Sequence, residues 1–241
     1  MTDTLRTAGV LGGMGPDATV DFMAKVIALT PADKDQDHIR MLVDHNPKVP
    51  NRQEAILGDG ADPGPVMAAM AQRLESSGAD FLVIPCNTAY VFQASITEAV
   101  SIPLISIIDE TIAAVARQSP DADAVGVLAT DGCLKPGVYQ DALQKKGISP
   151  VLPQAQELRE LMDLVARIKG GDRSDAVGAA MSGLANALVD HGAQAIIAGC
   201  TEIPLVLEQA ELGVPLLSST DVLAQKTVQL ARGLSPLPDR E

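Results

Sequence analysis

The sequence predicts an α/β protein built as two similar halves, each a parallel sheet covered by helices, and three observations carry that prediction. The first is a duplicated stretch: Gly78-Ala-Asp-Phe-Leu-Val-Ile-Pro-Cys-Asn-Thr-Ala89 and Gly192-Ala-Gln-Ala-Ile-Ile-Ala-Gly-Cys-Thr-Glu-Ile203. Each has Gly-Ala, a polar or acidic residue, a short apolar run and a cysteine followed within two residues by threonine. The second is that the duplication is wider than these segments. Gly9-Val-Leu matches Gly126-Val-Leu, and Ile102-Pro-Leu-Ile…Asp109 matches Val214-Pro-Leu-Leu…Asp221, at near-constant offsets and in unbroken order. The third is composition. Of 241 residues 46% are apolar but only 2% aromatic, with no Trp, so the core is Val, Ile, Leu and Ala, the usual filling of buried parallel strands and their helices.

Taken in order, Ala8-Gly-Val-Leu is a short strand entering a glycine-rich loop, Gly12-Gly-Met14-Gly-Pro16. A helix from Asp17 or Thr19 to about Leu29 follows, with Phe22, Val26 and Leu29 at helical spacing. The glycine spacing is not a dinucleotide fingerprint, and no Gly-Lys-Ser/Thr follows, so neither nucleotide motif fits. The loop is either a tight turn or a set of backbone N–H groups open to a small anion at a helix start. Ile39 to Val43 is the second strand, and the proline-bounded loop Val49-Pro-Asn-Arg-Gln53 carries Arg52, a candidate for bidentate carboxylate binding. Val66 to Ser77 is a helix, the first cysteine stretch is a buried strand, and Ala89 to Val100 is a helix.

Residues 101–109 are a further strand, followed by the helix Glu110 to Gln118. The theme then restarts with Ala124-Val-Gly-Val-Leu-Ala-Thr-Asp-Gly-Cys133. Tyr139 to Lys145 is a helix, Gly147 to Leu152 a strand, and Gln154 to Ile168 and Ser174 to His191 are long helices. After the second cysteine stretch come a helix over Ile203 to Ala210, a strand from Val214 and a last helix from Val222 to Gly233. Each half takes a late strand after its cysteine. The chain is therefore read as crossing between domains near 101 and again near 213: residues 1–100 with 214–241 form the first domain, and 101–213 the second.

The net charge of −13 argues against nucleic acid or anionic membranes as partners, and no apolar run approaches the length of a membrane span. Cys86, Cys133 and Cys200 are widely spaced, which suggests neither a metal site nor a disulfide framework. With no apolar signal region at the start, the expectation is a cytoplasmic protein in a reducing compartment.

A single cysteine is most often a small core residue, and Cys133 stays in that class. Cys86 and Cys200 differ because they recur together at matched positions, each just past a strand's carboxyl end, where open α/β sheets place ligands. Each is followed by residues that could begin a helix, whose N-terminus would lower the thiol's pKa. Redox pairing, nucleophilic catalysis, metal ligation and two-base proton transfer are the available uses. The last explains the duplication, since inverting a stereocentre takes one acid/base group on each face.

At this point Gly-Val-Leu-Gly-Gly-Met-Gly-Pro-Asp-Ala-Thr, Pro85-Cys-Asn-Thr-Ala89 and Gly199-Cys-Thr-Glu-Ile-Pro-Leu205 resemble the cofactor-independent aspartate/glutamate racemase superfamily, most closely its aspartate racemase branch. The resemblance spans nearly the whole chain. It implies two pseudo-symmetric Rossmann-like (flavodoxin-like) domains with an active-site cleft between them, Cys86 and Cys200 as the thiol/thiolate pair, and no cofactor or metal. It further implies a small carboxylate-bearing amino acid as substrate and a homodimer. By the same resemblance the substrate is bound by the Met14 loop, Arg52, Asn87, Thr88, Thr130, Lys169, Thr201 and Glu202. Two positions depart from the aspartate branch: Tyr90 stands where His is frequent and Cys133 where a second Thr is frequent. Hydantoin racemases, maleate isomerases and arylmalonate decarboxylases share the scaffold. Retention of both cysteines favours racemisation over decarboxylation and leaves maleate isomerisation open. A non-catalytic binding protein would show affinity without isotope exchange, and a redox switch would need a Cys86–Cys200 disulfide.

Overall fold

A computed structural model describes residues 5–209 and 212–238. The chain divides into two compact units, one formed by the chain up to Ile107 and again from Thr220, the other by Ile108–Ser219.

The first unit holds β1 (Ala8–Gly12), α1 (Pro16–Leu29), β2 (Met41–His45), α2 (Arg52–Leu57), α3 (Gly64–Ser76), β3 (Phe81–Val83) and α4 (Gln93–Thr97). Its strands run parallel in the order β2-β1-β3, and Leu104 continues the sheet by a parallel bridge to Leu82. After α5 (Ile107–Gln118), the second unit holds β4 (Ala124–Leu128), α6 (Asp131–Leu134), α7 (Val138–Gln144), β5 (Ser149–Val151), α8 (Ala155–Lys169), α9 (Asp175–Asp190), β6 (Ala195–Ala198) and β7 (Leu216–Ser218). Its parallel sheet runs β5-β4-β6-β7, the same order element for element. The final helix, α10 (Ser219–Ala231), is tied to the first unit by Lys25, whose Nζ lies 2.7 Å from Asp221 and 2.8 Å from Asp21.

The repeated residues do the same work in each half. Gly9 pairs with Leu82 and Gly126 with Ile196. A Cβ on Gly9 would lie 2.7 Å from Leu82 Cδ2 and 2.9 Å from Ala79 Cβ; one on Gly126 would lie 2.5 Å from Ile196 Cδ1 and 3.2 Å from Ala193 Cβ. Glycine at both sites lets a helix close onto the sheet. The Gly-Ala preceding each cysteine strand ends a helix in the same motif. Gly78 and Gly192 take φ of 94° and 100°, while Ala79 and Ala193 donate backwards to the Leu74 and Leu188 carbonyls. The variable residue that follows is also accounted for. The Asp80 carboxylate accepts from the Thr7 N–H and the Gln194 amide oxygen from the Asp123 N–H, so each fastens the start of the half's first strand.

Several boundaries differ from the sequence expectation. The late strand after each cysteine pairs with its own half: Leu82 N–H donates to Pro103 and Ile196 N–H to Pro215. The crossings therefore fall after these strands, at Ile107 and Ser219, not at 101 and 213. Arg52 opens α2 instead of sitting in a loop, because Asn51 caps the helix by accepting from Gln53 N–H. The stretch after Cys86 begins as a 3-10 helix over Asn87–Phe92 before α4, and that after Cys200 has one over Ile203–Leu205; Ala210 lies outside the described residues. No helix among the described residues is long and apolar enough to cross a membrane.

Candidate active site

In each unit the central pair of strands, β1 with β3 and β4 with β6, is where the strand order reverses, and open α/β sheets place ligands at the loops on the carboxyl ends of such a pair. Those loops carry most of the residues singled out from the sequence.

In the first unit, β1 delivers the chain into the Gly12–Gly15 loop. Gly13 has φ of 90°, and a Cβ there would stand 2.5 Å from the Asn46 backbone, so only glycine fits. Thr19 locks the loop from within α1: its Oγ1 accepts from the Gly13 N–H at 2.9 Å and donates to the Gly15 carbonyl at 2.9 Å. Met14 is buried, and its peptide to Gly15 is cis. Thr19 went unnoticed in the sequence, where it reads as one more helix-start residue. β3 delivers Pro85-Cys86, and Cys86, Asn87 and Thr88 are all buried. Arg52, at the first position of α2, donates from Nη1 to the Val49 and Pro50 carbonyls at 3.1 and 2.9 Å. Its Nε is buried and makes no hydrogen bond among the described residues. α2 packs on the Asn87–Phe92 turn, which brings Arg52's helix to the segment that follows Cys86.

In the second unit, β4 leads into Ala129-Thr130, with Thr130 buried at the cap position of α6. β6 delivers Gly199-Cys200, where a Cβ on Gly199 would stand 2.9 Å from Tyr139 Cε2. The Cys200 thiol donates to Glu202 Oε2 at 3.0 Å, and Thr201 Oγ1 lies 3.4 Å from the same oxygen. Lys169, closing α8, places Nζ 3.8 Å from Glu202 Oε1. Lys169, Thr201 and Glu202 thus gather at Cys200. Burial, followed by the Glu202 charge, pushes the Cys200 thiol well above the usual thiol range, with Lys169 opposing. This reverses the expectation that a helix start would lower that thiol. Cys200 is followed by a turn and a single 3-10 turn, too short to offer a helix dipole, and a carboxylate sits against the sulfur.

Of the two departures from the aspartate-branch pattern, Tyr90 is buried and donates its hydroxyl to the Ile105 carbonyl, which clamps the late strand of the first unit. Cys133 is fully buried in α6. All three cysteines are free thiols. Among the described residues no three His, Cys, Asp or Glu side chains cluster as a metal site requires.

Comparison with known proteins agrees with this layout. Residues 11–227 match the Asp/Glu/Hydantoin racemase family. The broad specificity amino-acid racemase RacX of Bacillus subtilis is 31% identical over 224 residues, covering 91% of this chain and 96% of that protein. The aspartate racemase of Picrophilus torridus superposes with a TM-score of 0.84 at 25% identity, over 97% of this chain and 96% of that one. A glutamate racemase from Francisella tularensis, solved with D-glutamate, shares the fold with a TM-score of 0.65 at 19% identity, over 93% of this chain and 80% of that one. The chain belongs to the Asp/Glu/Hydantoin racemase family and is an isomerase of the racemase type.

Proposed function

We propose that the protein is a cofactor-independent amino-acid racemase in which Cys86 and Cys200 exchange the substrate's Cα proton, one thiol acting on each face of that carbon. The observation that carries the reading is the equivalence of the two thiols. Each follows the third strand of an identically ordered sheet, at the carboxyl end, beside the loop from the first strand of its unit. One thiol per half is what inversion of a single carbon needs. A thiolate removes the proton from one face, S–H forming as C–H breaks; the opposite thiol returns its own proton, S–H breaking as C–H forms.

The difficulty of the step lies in the carbanion, since an amino-acid Cα–H is a far weaker acid than a thiol. Fixed donors around the substrate carboxylate lower that barrier. In this reading Arg52 supplies the cation, its guanidinium held in place by the Val49 and Pro50 carbonyls. The Gly12–Gly15 backbone around Met14, Asn87, Thr88, Thr130 and Thr201 supply neutral donors, and Lys169 a second positive charge. The Tyr90 hydroxyl is spent on the Ile105 carbonyl and so is not assigned to the substrate.

Substrates are small amino acids bearing a free α-carboxylate. The similarity to a broad-specificity enzyme as well as to an aspartate racemase makes a panel the right test. Each L- and D-amino acid, and maleate, is incubated without pyridoxal phosphate and resolved by chiral chromatography. Formation of the opposite enantiomer from either hand supports the racemase and names its substrate. Conversion of maleate to fumarate, with every amino acid left optically pure, would replace it with an isomerase of another kind.

A further inference from the structure

Glu202 reads from the sequence as a substrate ligand, but its surroundings fit a different task. Its side chain is 5% exposed. Oε2 accepts from the Cys200 thiol and lies near the Thr201 hydroxyl, while Oε1 looks toward Lys169 and makes no hydrogen bond among the described residues. Glu202 and Lys169 are the charged groups that act on Cys200. One oxygen of this carboxylate is already taken by the thiol and the other faces Lys169, so neither is left free for a substrate group. Aimed at a thiol, with a lysine behind it, the same group fixes one proton on one sulfur.

We propose that Glu202 is a positioning residue that holds the proton of the Cys200 thiol, with Lys169 as its counter-charge, so that Cys200 enters the reaction as the acid. The consequence for turnover rests on the racemase reading; the hold on the thiol does not. When Cys200 protonates the carbanion, its S–H bond breaks, the new Cα–H bond forms and the thiolate is left beside the Glu202 carboxylate. Lys169 offsets part of that like-charge contact. The thiolate so formed is a strong base, suited to removing the same proton in the reverse direction.

The test uses the full chain carrying Cys86→Ser and Cys133→Ser, so that Cys200 is the one thiol, and follows thiolate ultraviolet absorbance against pH. Glu202→Gln keeps an acceptor for the thiol but removes the charge, and the midpoint falls by about one pH unit or more. Glu202→Asp restores part of the difference. Lys169→Met moves the midpoint the other way and serves if the Gln variant does not fold by circular dichroism. A midpoint unmoved by a folded Gln variant, or by the Met variant in its place, overturns the proposal. Absence of racemisation by the wild type together with a shifted midpoint would overturn the function and leave the Glu202–Cys200 coupling standing.

Discussion

Replacing Gly126 with Ala tests whether the duplicated glycines are there for close packing. The new Cβ would arrive 2.5 Å from Ile196 Cδ1 and 3.1 Å from Leu188 Cδ1, inside contact distance of both. Overpacking of this kind costs about 1–3 kcal/mol, and the lost freedom of an unfolded glycine returns about 0.4–1 kcal/mol. A net loss of about 1 kcal/mol follows, since the nearest atom is the end of a side chain that can turn. Gly9→Ala costs more, about 2 kcal/mol, because Ala79 Cβ, 2.9 Å away, has no rotamer to move into. A double-mutant cycle isolates the contact. Ile196→Val alone costs about 0.5–1.5 kcal/mol for the lost methyl. Combined with Gly126→Ala it removes the clashing atom, so the pair loses less than the sum by about 1 kcal/mol. Urea denaturation followed by circular dichroism reads all four corners. Additivity within about 0.3–0.5 kcal/mol would refute the argument, for then Gly126 is not shaped by Ile196.

Tyr90→Phe leaves the Ile105 carbonyl buried without its donor and costs about 1–3 kcal/mol, with the order of preferred substrates unchanged; a reordered panel would return Tyr90 to the substrate. Arg52→Lys loses the planar fork and raises KM far more than it lowers kcat, measured by initial rates on the best substrate; an unchanged KM removes Arg52 from the site. The raised Cys200 thiol also gives stability a pH dependence. The unfolded chain releases that proton above about pH 8.5 while the folded protein keeps it. The contribution is whole below that point and is lost as pH rises towards the folded value. Wild-type urea midpoints therefore fall above pH 9 relative to Cys200→Ala, and parallel curves for the two proteins would contradict the burial argument.

Much of this architecture is visible in the residues because the two halves repeat the same physical solutions. Gly9 and Gly126, Gly78 and Gly192, and the strand-then-cysteine order are each demanded by close approach, a left-handed turn or a strand end, and those demands leave a mark in sequence. The points where the chain crosses between the halves left no such mark. Ile102-Pro-Leu and Val214-Pro-Leu look alike, and only pairing with Leu82 and Ile196 assigns each to its own sheet. The short helix at Arg52 was within reach: Asn51 accepts from Gln53 N–H and donates to Glu54, a capping pattern hidden by the prolines around it. The contact between Cys200 and Glu202 was not. Two residues apart, they meet because the turn after β6 folds the carboxylate back onto the sulfur, and Lys169 reaches them from the end of α8.

The central claim is that two thiols move one proton across one carbon. Proton NMR in D2O, on the amino acid that the panel identifies, tests it directly with wild type, Cys86→Ser and Cys200→Ser. The wild type removes the Cα–H signal from either enantiomer, and neither serine variant racemises. Full racemisation by one of the two variants would contradict the claim, since a single thiol would then suffice.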